Sequence, residues 1–171
     1  MSLIIINNNE RNAYPEGSHN AVLGGVFSLG LQPGFKNEKP KRKHAYVFEI
    51  DKKIPSGPLE GEPYIVHAIM SDSYHEKSRL FATVRALKGG LDAQELKTGF
   101  NPEAMVGLGC TVVTANVVRE GKTFPNIVSI LGRNPALPPL TPTLDRSKVP
   151  EWIKRMQDQR LDKPTATSNA A

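Results

Sequence analysis

The densest run of chemically useful side chains in this chain is Phe35-Lys36-Asn37-Glu38-Lys39-Pro40-Lys41-Arg42-Lys43, nine residues with five cations, one anion and a leading ring. Two further cations, Arg119 and Lys122, flank Glu120-Gly121, and Phe124 follows two residues later. Cations spaced through a turn neutralise a polyanion, and rings beside them offer flat surfaces on which bases stack. A charged backbone carrying flat groups fits that pattern better than a small metabolite does. The candidate contacts are therefore Lys36, Lys39, Lys41, Arg42, Lys43, Arg119 and Lys122 for anionic groups, with Phe35, Tyr46, Phe48, Tyr64 and Phe124 as stacking rings. Core packing competes for every ring, and about half of the five are expected to be buried. Tyr46 is the preferred stacking ring, because Arg42 and His44 continue its face toward the basic run; Phe48, farther along, is open between the two roles.

Other chemistry is sparse. The chain carries no phosphate-binding glycine loop, no metal-ligand signature and no serine elbow. His67, Asp72, His75 and Glu76 form the best acid–base or metal cluster on offer, but a helix start accounts for the same residues. A binding protein is expected rather than an enzyme, with no cofactor and no metal. Cys110 is the only cysteine, so no intrachain disulfide can form, and its expected role is a small buried strand residue. Leu3-Ile4-Ile5-Ile6 is too short for a secretory signal, and no stretch approaches the roughly twenty apolar residues of a membrane span. These features predict a soluble, cytoplasmic protein with no membrane partner. A formal charge of +5 and a pI near 9.4 favour an anionic partner.

The basic run must be held by the elements around it. Residues 19–31 alternate as a strand, with Ala21, Leu23, Gly25, Phe27, Leu29 and Leu31 on one side and Val22, Gly24, Val26, Ser28 and Gly30 on the other. Glycines at 24, 25 and 30 predict a bulge, sharp coiling or a close backbone approach. Pro33-Gly34 ends this strand, and His44 to Asp51 forms the next. Residues 52–63 are rich in glycine and proline and predict a loop. In the strand that follows, Tyr64, Val66, Ala68 and Met70 share one face and Ile65, His67, Ile69 and Ser71 the other, with either able to face inward. Ser73 and Glu76 fit a capping box for a helix carrying Leu80, Phe81, Val84 and Leu87, ended by Gly89-Gly90. Asp92 predicts a second cap, and Asn101-Pro102 a further short turn. Residues 107–118 and 123–131 form a hairpin about Glu120-Gly121, with Pro125 marking an edge or bulge. A proline-rich stretch, 134–142, then leads to an amphipathic segment with Val149, Trp152, Ile153 and Met156 on one side, which needs a surface to dock on. A chain cut after Leu131 is expected to keep a complete barrel.

The order strand, strand, strand, helix, strand, strand predicts an all-β protein with one main helix: the OB-fold, a five-stranded, partly open Greek-key barrel with its helix between strands 3 and 4. Ligands of that fold lie across strands 2 and 3, between the loop joining strands 1 and 2 and the loop joining strands 4 and 5. Here those loops are Pro33 to Lys41 and Arg119 to Lys122, the two places where cations cluster in turns. The expected division is an N-terminal arm at 1–18, an OB-fold domain at 19–131, and a proline-rich linker, short helix and disordered tail at 132–171.

Three segments extend this reading: Tyr14-Pro15-Glu16-Gly17 before a glycine-containing strand, Ser71-Asp72-Ser73-Tyr74-His75-Glu76-Lys77-Ser78-Arg79-Leu80 entering the helix, and Gly121-Lys122-Thr123-Phe124-Pro125-Asn126-Ile127 in the hairpin. In their order, over about residues 14–131, the chain resembles a group of bacteriophage OB-fold single-stranded DNA-binding proteins. The resemblance implies binding of single-stranded DNA without strong sequence preference during phage replication or recombination, in the host cytoplasm, with recombination or replication proteins as partners through the C-terminal segment. Many such proteins end in an acidic tail, whereas residues 145–171 hold six basic and four acidic side chains. A structural or protein-interaction barrel, an RNA-binding module and a homo-oligomer stay open as alternatives.

Overall fold

The computed structural model describes residues 14–34 and 36–162. Among these residues the fold is mostly β, with one five-stranded antiparallel sheet and three helices. The strands are β1 (Gly17–Gln32), β2 (Lys41–Lys53), β3 (Pro63–Ser71), β4 (Gly109–Arg119) and β5 (Lys122–Leu131), in the spatial order β3-β2-β1-β4-β5. The helices are α1 (Arg79–Lys88), α2 (Ala93–Thr98) and α3 (Glu151–Asp158), with a 3₁₀ turn at Pro102–Met105. The edge strands β3 and β5 also approach one another, so the sheet curls like a barrel.

Curvature originates in β1. Its pairing with β2 slips between Leu23 and Gly25 and again between Ser28 and Gly30, where Gly30 has a left-handed φ of 68°. Each extra residue breaks the two-residue alternation. Ala21, Leu23 and Val26 therefore face the main core, whereas Phe27 and Leu29 face a second cluster on the opposite side of the sheet. The single apolar face expected for Ala21 through Leu31 is corrected accordingly. Tyr46, Phe48 and Ile50 of β2 and Tyr64, Val66, Ala68 and Met70 of β3 line the main core, and Leu80, Val84 and Leu87 of α1 pack against it.

Local signals set most element ends. Ser78, not Ser73, caps α1: its hydroxyl accepts from Phe81 N at 3.0 Å and from His75 N at 3.3 Å. The cap is displaced because Ser71–Asp72 still belongs to the sheet edge, with Asp72 N donating to Arg42 O at 3.0 Å. Gly89, at φ 82°, ends α1. Asp92 and Glu95 cap α2 reciprocally, Glu95 N to Asp92 Oδ1 at 2.8 Å and Asp92 N to Glu95 Oε1 at 3.2 Å. In the β4–β5 hairpin Arg119 pairs with Lys122 across Glu120 (φ 51°) and Gly121 (φ 75°), the two left-handed residues of a type I′ turn. Pro125 lies on β5, an edge of the sheet, as expected. Cys110 is fully buried, and burial pushes its thiol pKa up to about 12.

The C-terminal segment docks on the outer face of β1, β2 and β3. Leu144, Val149, Trp152, Ile153 and Met156 cover Phe27, Leu29, Ala45, Val47, Ile65 and Ile69, and Ile153 is fully buried. Polar contacts pin it along its length. The buried Glu49 carboxylate accepts from Thr143 N, Thr143 Oγ1 and Leu144 N, the backbone contacts at 2.9–3.2 Å. Asn20 Nδ2 donates to Pro138 O at 2.9 Å, Gln32 Nε2 to Met156 O at 2.9 Å and Gln157 Nε2 to Ser28 O at 2.8 Å. At the other end of the described chain, Asn116 Nδ2 donates to Tyr14 O at 2.9 Å and the Tyr14 and Tyr64 rings meet at 5.3 Å. The Leu3–Ile6 run and the tail beyond Asp162 lie outside the described residues. No described helix is long and apolar enough to cross a membrane.

All five strands are complete by Leu131, but the docked segment covers one face of the sheet, so a chain cut there is expected to lose stability rather than strands. Truncation uncovers Phe27, Leu29, Ala45 and Val47 and strips Glu49 of its donors. The truncated chain is expected to melt roughly 10 °C or more below the full chain, given several kcal/mol lost at about 2–4 °C each, or to be insoluble. A thermal melt within about 2 °C of the full chain would show that the residues beyond Leu131 add nothing to the fold.

Candidate nucleic-acid interface

The loop between β1 and β2 is built from Pro33 to Pro40. Gly34 packs beneath the Glu38 and Lys39 carbonyls with no room for a Cβ, and Lys36 takes a left-handed φ of 56°. This tight base turns Lys36, Lys39, Lys41 and Arg42 outward, with Lys43 half-buried at the start of β2. Lys39, Lys41 and Lys43 enter no ion pair among the described residues, while Arg42 Nη1 meets Asp162 Oδ2 at 2.8 Å. At the β4–β5 hairpin Arg119 and Lys122 are exposed, likewise without an ion pair. They line an open groove of about 530 Å³ with Val117, Phe124 and Asn126.

The rings divide differently from the expectation. Phe124 is 46% exposed on the hairpin. Tyr46 and Phe48 are fully buried and Tyr64 is 7% exposed, so the stacking roles assigned to these three are corrected: they are core residues. The cause is the cover on the other side. α3 occupies the Ala45–Val47 face, and the Tyr46–Phe48 face is left to fill the interior. Phe35 lies outside the described residues. The Tyr46 hydroxyl is buried without a hydrogen-bond partner among the described residues, and burial, with the nearby Asp72 carboxylate, raises its pKa.

The cluster of His67, Asp72, His75 and Glu76 is not assembled. Asp72 pairs with His44 Nδ1 at 2.6 Å, beside a cleft of about 300 Å³ walled by Tyr74, Leu80 and Phe100. His67 instead stacks on Trp152, ring centroids 4.1 Å apart, and partial burial lowers its pKa. Among the described residues no group of three or more His, Cys, Asp or Glu could hold a metal ion. One residue at the basic loop escaped sequence reasoning: Asp162, which nothing local marks. Trp152, expected to dock with the amphipathic segment, does so on the outer sheet face against His67.

Strand register sets the spacing of the two basic turns. The start of β1 pairs with the middle of β4, Gly17 opposite Thr114, so β4 runs on past the start of β1 to the hairpin, and the end of β1 pairs with the start of β2, Gln32 opposite Lys41. The hairpin and the β1–β2 loop therefore lie at opposite ends of β1. No protein-family model matches this chain, and no curated protein matches it.

The placement of Tyr46 yields a test. Tyr46→Ala is expected to cost about 3–5 kcal/mol of folding, a melting-temperature fall of roughly 6–20 °C. Tyr46→Phe removes only the unpaired hydroxyl and should leave the melt unchanged or raise it by up to about 4 °C. Equal losses for both variants would mean that the hydroxyl is bonded in solution.

Proposed function

We propose that the protein binds single-stranded DNA through the two basic turns, without strong sequence preference. The observation that carries this reading is the set of five exposed or half-exposed cations, Lys39, Lys41, Lys43, Arg119 and Lys122, free of ion pairs among the described residues and placed in or beside two turns at opposite ends of one long strand. Neutralising phosphates releases counterions, which favours binding at low salt whatever the base sequence. Phe124, exposed beside Lys122, supplies a stacking face.

We read the sheet as an OB-fold. Three features support this: the order β3-β2-β1-β4-β5, a helix between β3 and β4, and the approach of β3 to β5. The resemblance to bacteriophage single-stranded DNA-binding proteins points the same way and suggests replication or recombination as the setting. A protein-interaction role is favoured by the exposed apolar residues Val118, Val128 and Leu131 around edge strand β5. Titration with oligo-dT and oligo-U separates these readings, because a protein-only partner leaves both oligonucleotides unbound and an RNA module prefers oligo-U.

With about five phosphates contacted, log affinity for oligo-dT should fall against log salt with a slope near −3.5, at about −0.7 per contact. Phe124→Ala should weaken binding roughly fivefold or more while the melt stays put, since a stacked base is worth about 1–3 kcal/mol. Retained binding with a flat salt response would remove the phosphate contacts from the account.

A further inference from the structure

Asp162 closes the described chain against the basic loop, and its surroundings are those of a bound anion. Its Oδ2 accepts from Arg42 Nη1 at 2.8 Å, its Oδ1 accepts from Leu31 N at 3.1 Å, and Arg160 Nε lies 3.8 Å from Oδ1. The strand is shaped to admit it. Gly30 has a left-handed φ of 68°, and a Cβ there would come within 2.9 Å of Asp162 Oδ1 and 2.5 Å of the Arg160 side chain. Leu161 N donates to Leu31 O at 2.8 Å, so the chain just before the carboxylate is stitched to the same strand. The hydrogen bond from Leu31 N, with the Arg42 guanidinium, holds the Asp162 carboxyl below its ordinary range.

A guanidinium and a strand amide converging on one carboxylate make an anion site, and the same donors suit a phosphodiester oxygen. Arg42 of the basic loop is paired by the chain itself with an acid, and it stands between Lys41 and Lys43 in sequence. Asp162 follows the end of α3 by four residues and is partly solvent-exposed, with 29% of its side chain accessible. It takes no part in the packing of Ile153 or in the Glu49 contacts.

We propose that Arg42 and the Leu31 amide form a phosphate subsite that Asp162 occupies as an internal competitor, so that a nucleic-acid phosphate must displace this carboxylate to bind there. The proposal rests on the nucleic-acid reading and adds to it a defined position and a built-in brake on affinity. It also accounts for the left-handed glycine at residue 30, which leaves room for the competitor.

The test is a double-mutant cycle on the full chain, read by fluorescence anisotropy of labelled oligo-dT at low salt. Asp162→Asn is expected to tighten binding roughly three- to tenfold, the scale of a partly exposed, charge-assisted pair. In an Arg42→Gln background the gain should vanish, because the freed subsite then lacks its main donor. Glu38→Gln, which removes a charge from the same loop away from the subsite, should change affinity by less than about twofold. Binding of oligo-dT with no gain from Asp162→Asn, or a gain that survives Arg42→Gln, overturns the subsite while leaving the nucleic-acid reading intact. Absence of binding by every variant overturns both.

Discussion

The Glu49 carboxylate lies on the outer face of β2, only 3% exposed, and holds residues 143 and 144 by their backbone amides and the Thr143 hydroxyl. An ionised carboxylate out of water is costly unless donors surround it. Here the donors come from a distant part of the chain, so the charge is tolerated only when the C-terminal segment is in place. Opposite it stands Gly24, where a Cβ would approach Glu49 Oε2 to 2.7 Å. The carboxylate, the glycine and the docked segment thus require one another, and the remaining contacts of that segment follow from this anchor.

Once the segment is anchored, β1 and β2 are buried on both faces. The inner face builds a core with α1, and the outer face builds a second cluster with α3. A strand pair covered on both sides can be apolar on both sides, which explains why neither alternation in β2 reads as the solvent side. The glycines of β1 serve this arrangement twice. They allow the pairing slips that curl the sheet, and they allow close approach: a Cβ at Gly25 would meet Leu144 at 3.1 Å, and one at Gly30 would meet Arg160.

The proposed function takes its shape from the same constraint. With α3 over the outer face of β1 to β3, the exposed chemistry is left at the two ends of β1, in the basic loop and the hairpin. The tail that covers the face also delivers Asp162 to the basic loop. Stability and ligand access are then linked through one segment, yet through different residues: Ile153 and Glu49 carry the docking, whereas Asp162 touches only the proposed phosphate position.

Much of this protein is written in short-range patterns. The five strands, the hairpin at Glu120-Gly121, the Asp92 cap, the end of α1 at Gly89 and the two basic turns each depend on neighbours within a few residues, so propensity and turn chemistry determined them. Tertiary structure decided the rest. Ser73 and Ser78 both suit a cap, and the choice fell to Ser78 because the sheet edge holds Asp72. Tyr46 and Phe48 became core, and Phe27 and Leu29 an outer cluster, because burial depends on what covers each face. That cover is α3, brought from the far end of the sequence by a buried charge, and a two-residue alternation carries no record of so distant a partner.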